Sequence, residues 1–132
     1  MDEGRTVKRS VVLVVEDEPL QRKSMEQILS AAGFTVLMAG RAETALAILD
    51  ARDNIDAVVT DINMPGALDG FVVAWRARRQ GRPVPVIVVS GVVQAGQEQP
   101  AMGFRFLPKP LDPTALVHEV RQAIRSNPHS AM

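Results

Sequence analysis

Five short apolar segments recur along the chain, each separated from the next by a stretch long enough for a helix. The first, Val11–Val15, is a continuous aliphatic run, which is typical of a strand covered on both faces in a parallel sheet. The other four segments are Thr35–Ala39, Ala57–Thr60, Val86–Val89 and Phe104–Leu107. Parallel neighbours need long, right-handed crossover connections. The alternation therefore predicts an α/β domain built on a doubly wound, five-stranded parallel sheet.

Helical signals occupy most of the segments between these strands and the segment after the last one. Pro19 opens a helix with apolar residues at helical spacing, and Gly33 suits the left-handed position that ends it. Asp112 and Pro113 form an N-cap and a first position for the last helix. The two helices in between are predicted from about Arg41 to Asp50 and from roughly Phe71 to Arg79.

The segment between the fourth and fifth strands has the weakest signal. Residues Val92 to Gly103 combine Gly and Pro with few apolar anchors and show no apolar stripe. We expect a fourth helix there that is short or irregular, and we expect this segment to be the least ordered part of the domain.

Composition excludes several classes of function. Fifteen basic and fifteen acidic side chains give a formal net charge of zero, so the overall charge gives no sign of binding to nucleic acid or to an anionic membrane. The chain has no cysteine, which excludes disulfides, thiolate catalysis and cysteine-bound metals. Its apolar runs are too short for a signal peptide or a membrane span. We therefore expect a cytoplasmic protein that contacts neither nucleic acid nor membrane directly.

Polar residues follow four of the five predicted strands: Glu16 and Asp17, then Asp61, then Ser90, then Lys109. The carboxyl ends of parallel strands lie at one edge of a sheet, and in a sheet of order 2-1-3-4-5 Asp17 and Asp61 would face each other. Carboxylates that close repel unless a cation intervenes. A hard divalent ion such as Mg²⁺ is the natural partner for such oxygen ligands.

Each of these residues alone has an ordinary structural explanation. Acids at strand ends often cap the next helix, a serine after a strand is commonly a turn residue, and a lysine between prolines is commonly solvated. The functional interpretation depends on their occurrence together at one edge.

Four motifs, in this order along the chain, resemble those of response-regulator receiver domains of two-component signalling. They are Val14 to Pro19, Asp61 to Pro65 with Asp69 and Gly70, Val89 to Gly91, and Phe106 to Pro110. The resemblance implies a flavodoxin-like fold with strand order 2-1-3-4-5. It divides the chain into an N-terminal extension (residues 1–9), a receiver domain (10–126) and a C-terminal tail (127–132).

The resemblance also implies a metal site. By position, Asp61 is similar to the phosphoacceptor of these domains and to one of their Mg²⁺ ligands. Asp17 is similar to the direct carboxylate ligand, and Glu16 to the acid that assists through water. The main-chain carbonyl of Asn63 is similar to the remaining protein ligand.

Three further residues match the positions that handle the phosphoryl group. Ser90 and Lys109 resemble the residues that hold phosphoryl oxygens, and the bond between Lys109 and Pro110 is cis in relatives. Phe106, with Ser90, stands where receiver domains carry their switch residues, although a phenylalanine in a strand is most often a core residue.

The function implied is a phosphorylatable switch of a phosphorelay rather than an enzyme. It would accept a phosphoryl group from a histidine kinase or a histidine phosphotransfer protein, assist its own slow dephosphorylation, and act on a downstream protein. One alternative is a degenerate receiver that serves as a docking module without phosphorylation. Another is an unrelated nucleotide- or flavin-binding domain or an aspartate-based phosphatase, which the lack of a Gly-rich fingerprint and of a Walker A loop disfavours.

Overall fold

The computed structural model describes residues 9–61, 70–91 and 104–127. Five parallel strands form one sheet in the order β2-β1-β3-β4-β5, as predicted. The strands are β1 (Val11–Val15), β2 (Thr35–Ala39), β3 (Ala57–Asp61), β4 (Val86–Ser90) and β5 (Phe104–Pro108). The change of direction in the strand order falls between β1 and β3, so their carboxyl ends flank the crevice that such sheets use for binding.

Four helices connect or follow the strands: α1 (Pro19–Ala31), α2 (Ala42–Ala51), α3 (Gly70–Arg78) and α4 (Pro113–Ser126). In the described ranges, none of the helices is long and apolar enough to cross a membrane. The short or irregular helix expected between β4 and β5, and the low order expected there, concern residues that lie outside the described ranges.

The core has two layers, one on each face of the sheet. The side chains of β1 alternate between them, which explains why that strand is apolar at every position. One layer packs β1 against α2 and α3, through Leu13, Val15, Ala45, Leu49, Val73 and Ala77. The other packs the sheet against α1 and α4, through Val12, Val14, Met25, Leu29, Leu116 and Val120.

The three central strands are buried at all five positions, whereas the edge strands β2 and β5 are partly exposed. Strands β3, β4 and β5 each extend one residue beyond the apolar run that predicted them. The reason is that the ladder continues past the apolar residues, pairing Asp61 with Val89 and Ser90 with Pro108. Asp61 and Ser90 are therefore strand residues, and both are buried.

The helix ends follow the predicted local signals. Pro19 is the first residue of α1, and Gly33 after its end has a φ of 101°, in the left-handed region that glycine tolerates. The Asp112 side chain accepts a hydrogen bond from the N–H of Ala115 at 3.0 Å and caps α4, in which Pro113 comes first.

A carboxylate and a guanidinium tie together the amino ends of the strands. Asp56, just before β3, accepts a hydrogen bond from the buried N–H of Val11 at 2.8 Å. It also accepts one from Arg82 at 2.8 Å. Arg82 donates in addition to the carbonyls of Asp53 and Ile55, at 3.0 and 3.3 Å. This network joins the first residue of β1 to the segments that precede β3 and β4.

We expect the substitution Asp56→Ala to lower the free energy of unfolding by about 2 kcal/mol, because it leaves a buried N–H without its acceptor and a guanidinium without its carboxylate. The measurement is urea unfolding followed by circular dichroism. Asp53→Ala is the matched control, since the main chain of Asp53, not its side chain, accepts from Arg82, and it should change stability by less than about 0.5 kcal/mol. Equal losses in the two variants would contradict this account.

Candidate functional site

The carboxyl edge of the sheet collects the polar residues that follow β1, β3, β4 and β5. Glu16 and Asp17 lie directly after β1, Asp61 and Ser90 are the last residues of β3 and β4, and Lys109 follows β5. Since these four strands are parallel and adjacent in the sheet, all five residues lie at one edge. The sequence predicted this grouping.

Three carboxylates meet there. Glu16, Asp17 and Asp61 each place one carboxylate oxygen within 4.8 Å of the other two. Glu16 is 1% exposed and Asp61 is 5% exposed, while Asp17 is half-buried. Like charges this close, with little water to screen them, repel strongly unless a cation lies between them.

The Lys109 ammonium supplies one such cation. Its Nζ donates to Asp61 Oδ2 at 3.1 Å and to Glu16 Oε1 at 3.3 Å. The N–H of Lys109 donates to the carbonyl of Ser90 at 3.1 Å, which holds the start of the loop after β5 against β4. The peptide bond between Lys109 and Pro110 is cis, as the resemblance implied.

The surroundings shift the protonation equilibria of this pair. Burial raises the pKa of Glu16, and the neighbouring Asp61 charge adds to this effect, whereas the N–H of Glu18 and the Lys109 ammonium oppose it. Burial by itself would lower the pKa of Lys109, but the bonds and attraction from Asp61 and Glu16 outweigh it and raise that pKa. The ammonium is therefore firmly charged at neutral pH.

Asp17 differs from its two neighbours in having no hydrogen-bond or ion-pair partner among the described residues. The usual role of an acid after a strand is to cap the next helix, and here Glu18 does so, by accepting from the N–H of Gln21 at 2.7 Å. Within the part of the chain that the structure describes, Asp17 makes no hydrogen bond or ion pair. Its carboxylate is thus available to a ligand.

The three carboxylates and the Lys109 ammonium together carry a formal charge of −2. Oxygen donors, a net negative charge and an unpaired half-buried carboxylate fit a small divalent ion such as Mg²⁺, which keeps several of its waters. The residues present therefore suit a metal. Asn63, the fourth ligand that the resemblance implies, lies outside the described residues.

The remaining predicted residues lie close to this cluster in the sheet. Ser90 is fully buried and lies one position beyond Val89, the ladder partner of Asp61. Phe106 of β5 pairs with Val88 of β4 and packs, half-buried, against the core layer of α2 and α3. The sequence alone did not single out Arg22, whose Nη1 donates to the main-chain carbonyl of Glu16 at 2.9 Å.

A five-stranded sheet of this order, with acids after β1 and β3 and a lysine after β5, defines the receiver class of signalling domains. The chain belongs to that family: the family model described as response regulator receiver domain matches residues 12–121.

Among curated proteins, the chain is 32% identical over 132 residues to an uncharacterized 14.6 kDa protein of Leptolyngbya boryana, covering 96% of this chain and 99% of that protein. It is 32% identical over 119 residues to the transcriptional regulatory protein FixJ of Bradyrhizobium diazoefficiens, covering 86% of this chain and 56% of FixJ. It is 34% identical over 89 residues to the sensor histidine kinase RcsC of Escherichia coli, covering 67% of this chain and 9% of RcsC. The match thus spans only part of the two larger proteins.

Solved structures agree with the fold. A response regulator receiver protein from Sinorhizobium medicae superposes with a TM-score of 0.81 at 29% identity, covering 92% of this chain and 99% of that one. The receiver domain of the hybrid histidine kinase CckA gives 0.74 at 34% identity, covering 87% and 99%. The chain is therefore a receiver domain homologous to those of response regulators, which removes the unrelated nucleotide, flavin or phosphatase fold from consideration.

We expect Glu16→Gln to become more stable relative to the parent chain as pH rises from below 4.5, the ordinary value for glutamate, to neutral. The pKa of Glu16 is raised in the folded state, so the folded chain binds its proton more tightly than the unfolded chain. Its deprotonation therefore lowers the stability of the parent chain, and glutamine avoids that loss. Urea unfolding without Mg²⁺ at several pH values measures the difference.

Glu26→Gln is the control for this experiment. The pKa of Glu26 is lowered by its hydrogen bonds with Ser30 and Lys23, so its substitution should have an effect of opposite sign over the same pH interval. If the stability difference between Glu16→Gln and the parent chain does not vary with pH, the pKa of Glu16 is not raised by folding.

Proposed function

We propose that this receiver domain is a phosphorylatable switch that accepts a phosphoryl group on Asp61 from the phosphohistidine of a histidine kinase or histidine phosphotransfer protein. The observation that carries the proposal is the placement of Asp61. Its nearly buried carboxylate lies 3.1 Å from the Lys109 ammonium and beside two further carboxylates, at the crevice of the receiver fold.

In the proposed transfer, a carboxylate oxygen of Asp61 forms a bond to phosphorus while the bond from phosphorus to the histidine nitrogen breaks. The imidazole retains the electron pair, and the product on the chain is an acyl phosphate. Phosphoryl transfer needs a positioned nucleophile and compensation of the charge on the phosphoryl oxygens, more than covalent assistance. The buried, hydrogen-bonded Asp61 and the neighbouring ammonium meet those needs.

Charge explains why the reaction should require a divalent ion. An incoming phosphoryl group adds up to about two negative charges to an edge that already carries three carboxylates. Mg²⁺, when bound, supplies positive charge that offsets this accumulation. We assign its direct coordination to Asp17 and Asp61, the contact through water to Glu16, and a carbonyl ligand to Asn63.

Lys109 and Ser90 are the residues we assign to the phosphoryl oxygens. Lys109 divides its hydrogen bonds between Asp61 and Glu16, so it can turn one of them to a new anion without leaving the site. Ser90 is fully buried, and its approach to a phosphoryl group would change the end of β4. Phe106, in the neighbouring strand, is the residue we assign to carry that change to the surface.

The proposed domain is a switch and not an enzyme, because it acts on its own acyl phosphate, which it forms and slowly hydrolyses. Its output would be contact with a downstream protein, without direct binding of nucleic acid. The competing function, a docking module that works without phosphorylation, is disfavoured because Lys109 donates hydrogen bonds to both Asp61 and Glu16. In addition, Asp17 has no hydrogen-bond partner among the described residues.

Asp61 should gain a phosphoryl group from acetyl phosphate only when Mg²⁺ is present. We expect intact-protein mass spectrometry to show an increase of about 80 daltons with Mg²⁺ and none with EDTA. Asp61→Asn should abolish the increase, while Asp53→Asn, at an exposed aspartate of the opposite edge, should keep it. Modification that persists in Asp61→Asn, or in EDTA, would overturn the assignment, and no modification of the parent chain would favour the docking module.

Lys109→Met should slow the transfer from acetyl phosphate by about 100-fold, because an ammonium aimed at the developing charge is lost. The same change should leave Mg²⁺ affinity unchanged or tighter, since it removes a positive charge that competes for Glu16 and Asp61. Isothermal titration with Mg²⁺ and single-turnover phosphorylation separate the two effects. Lys23→Met is the control, because Lys23 is an exposed lysine paired only with Glu26 among the described contacts. Parallel loss of Mg²⁺ affinity and transfer in Lys109→Met would mean that Lys109 holds the site together rather than binding phosphate.

A further inference from the structure

The loop from Glu16 to Glu18 carries two of the three acids of the site, and an arginine on α1 reaches back to it. Arg22 lies one turn into α1, and its Nη1 donates to the main-chain carbonyl of Glu16 at 2.9 Å. The other side of the same residue is held by the sheet, since the N–H of Glu16 donates to the carbonyl of Ala39 at 3.0 Å. Glu16 is thus anchored through both of its main-chain polar groups.

The hydrogen bond from Arg22 to the Glu16 carbonyl also constrains the main chain of the next residue, Asp17. The carbonyl of Glu16 and the N–H of Asp17 belong to one planar peptide group. Holding that carbonyl therefore sets the direction in which the chain enters Asp17, whose carboxylate has no partner of its own in the described part of the chain. The N–H of Glu18 also donates to the Glu16 carboxylate at 3.1 Å, but the guanidinium is the side chain that holds the carbonyl of the peptide group leading into Asp17.

Gly40, just after β2, leaves the space that the guanidinium occupies. A Cβ built on Gly40 would lie 2.7 Å from Arg22 Nη1 and 3.4 Å from its Cζ. The φ of Gly40 is outside the left-handed region that favours glycine, so the main-chain conformation does not require glycine at this position. Room for the Arg22 side chain is the physical reason that the structure offers for a glycine here.

We propose that Arg22 and Gly40 form a clasp that positions Asp17 and Glu16 for the divalent ion, an inference that rests on the proposed function of the site. Arg22 is a positioning residue, because it contacts the main chain and not the metal or the phosphoryl group. Three carboxylates close together repel one another, and a loop without the clasp would let Asp17 move away from Asp61. Binding of the ion would then have to restore the arrangement, and affinity would fall.

The sign of the effect distinguishes positioning from simple electrostatics. Arg22 is a positive charge near a cation site, so if charge were its only influence, Arg22→Met would tighten Mg²⁺ binding. If Arg22 positions the loop, Arg22→Met weakens binding by about tenfold, as loss of a supporting contact around a metal commonly does. Gly40→Ala should weaken it in the same direction without any change of charge, because the added methyl group displaces the guanidinium.

The experiment is isothermal titration with Mg²⁺ of the parent chain, Arg22→Met, Gly40→Ala and the double variant, each checked for folding by urea unfolding. Gly40→Ala should weaken binding in the parent chain and have no further effect in the Arg22→Met background, since there is then no guanidinium to displace. Arg22→Lys should recover part of the affinity. Arg121→Met is the matched control: Arg121 also donates to a main-chain carbonyl, that of Ala32 at 3.2 Å, but on a different loop.

Unchanged or tighter Mg²⁺ binding in Arg22→Met overturns the clasp, as does a Gly40→Ala effect that is equally large with and without Arg22. If Arg22→Met fails to fold, the effect of Gly40→Ala on Mg²⁺ affinity tests the clasp by itself. This variant should fold, because its added methyl group meets only the flexible end of the Arg22 side chain. Failure of the proposed function would be seen separately, as a parent chain that binds no Mg²⁺ and takes no phosphoryl group on Asp61. The clasp is refuted, and the proposed function is retained, if the parent chain binds Mg²⁺ and takes a phosphoryl group on Asp61 while Arg22→Met binds Mg²⁺ with the same affinity.

Discussion

Two nearly buried carboxylates, those of Glu16 and Asp61, share a single ammonium group at the carboxyl edge of the sheet. Removing such charges from water is costly, and one ammonium does not balance three acids. Burial raises the pKa of Glu16, and the nearby charge of Asp61 adds to that effect. An edge that is short of positive charge is unfavourable for the stability of the domain, but it is what a site for a divalent ion and a phosphoryl group requires.

The rest of the domain is organised so that this edge can tolerate the imbalance. Central strands that are buried at every position supply the apolar core, and helices cover both faces. At the opposite edge, where the strands have their amino ends, the charged groups are paired. Asp56 there accepts hydrogen bonds from the N–H of Val11 and from the Arg82 guanidinium. One edge of the sheet thus holds the amino ends of the strands together, and the other carries an excess of acidic side chains.

The charged residues of this edge belong to a domain of the response regulator receiver family. The chain matches nearly the whole length of its relative from Leptolyngbya boryana but about half of FixJ. The match therefore covers only part of FixJ, whereas it covers 99% of the relative from Leptolyngbya boryana. Asp61, Lys109 and the two acids after β1 all lie within residues 12–121, the range that the family model matches.

The sequence by itself determined the strands, their order along the chain and the edge at which the polar residues meet. Periodicity and apolar runs report burial, and proline, glycine and aspartate report helix ends, because these signals act between residues close in the chain. Only the tertiary structure decided which polar atoms pair. Glu18 rather than Asp17 caps α1, and Lys109 bonds to Glu16 across a separation of 93 residues. Arg22 reaches the Glu16 carbonyl through a space left by Gly40. Hydrogen bonds depend on distances of a fraction of an ångström between groups that only folding brings together, and no local pattern of residues encodes those distances.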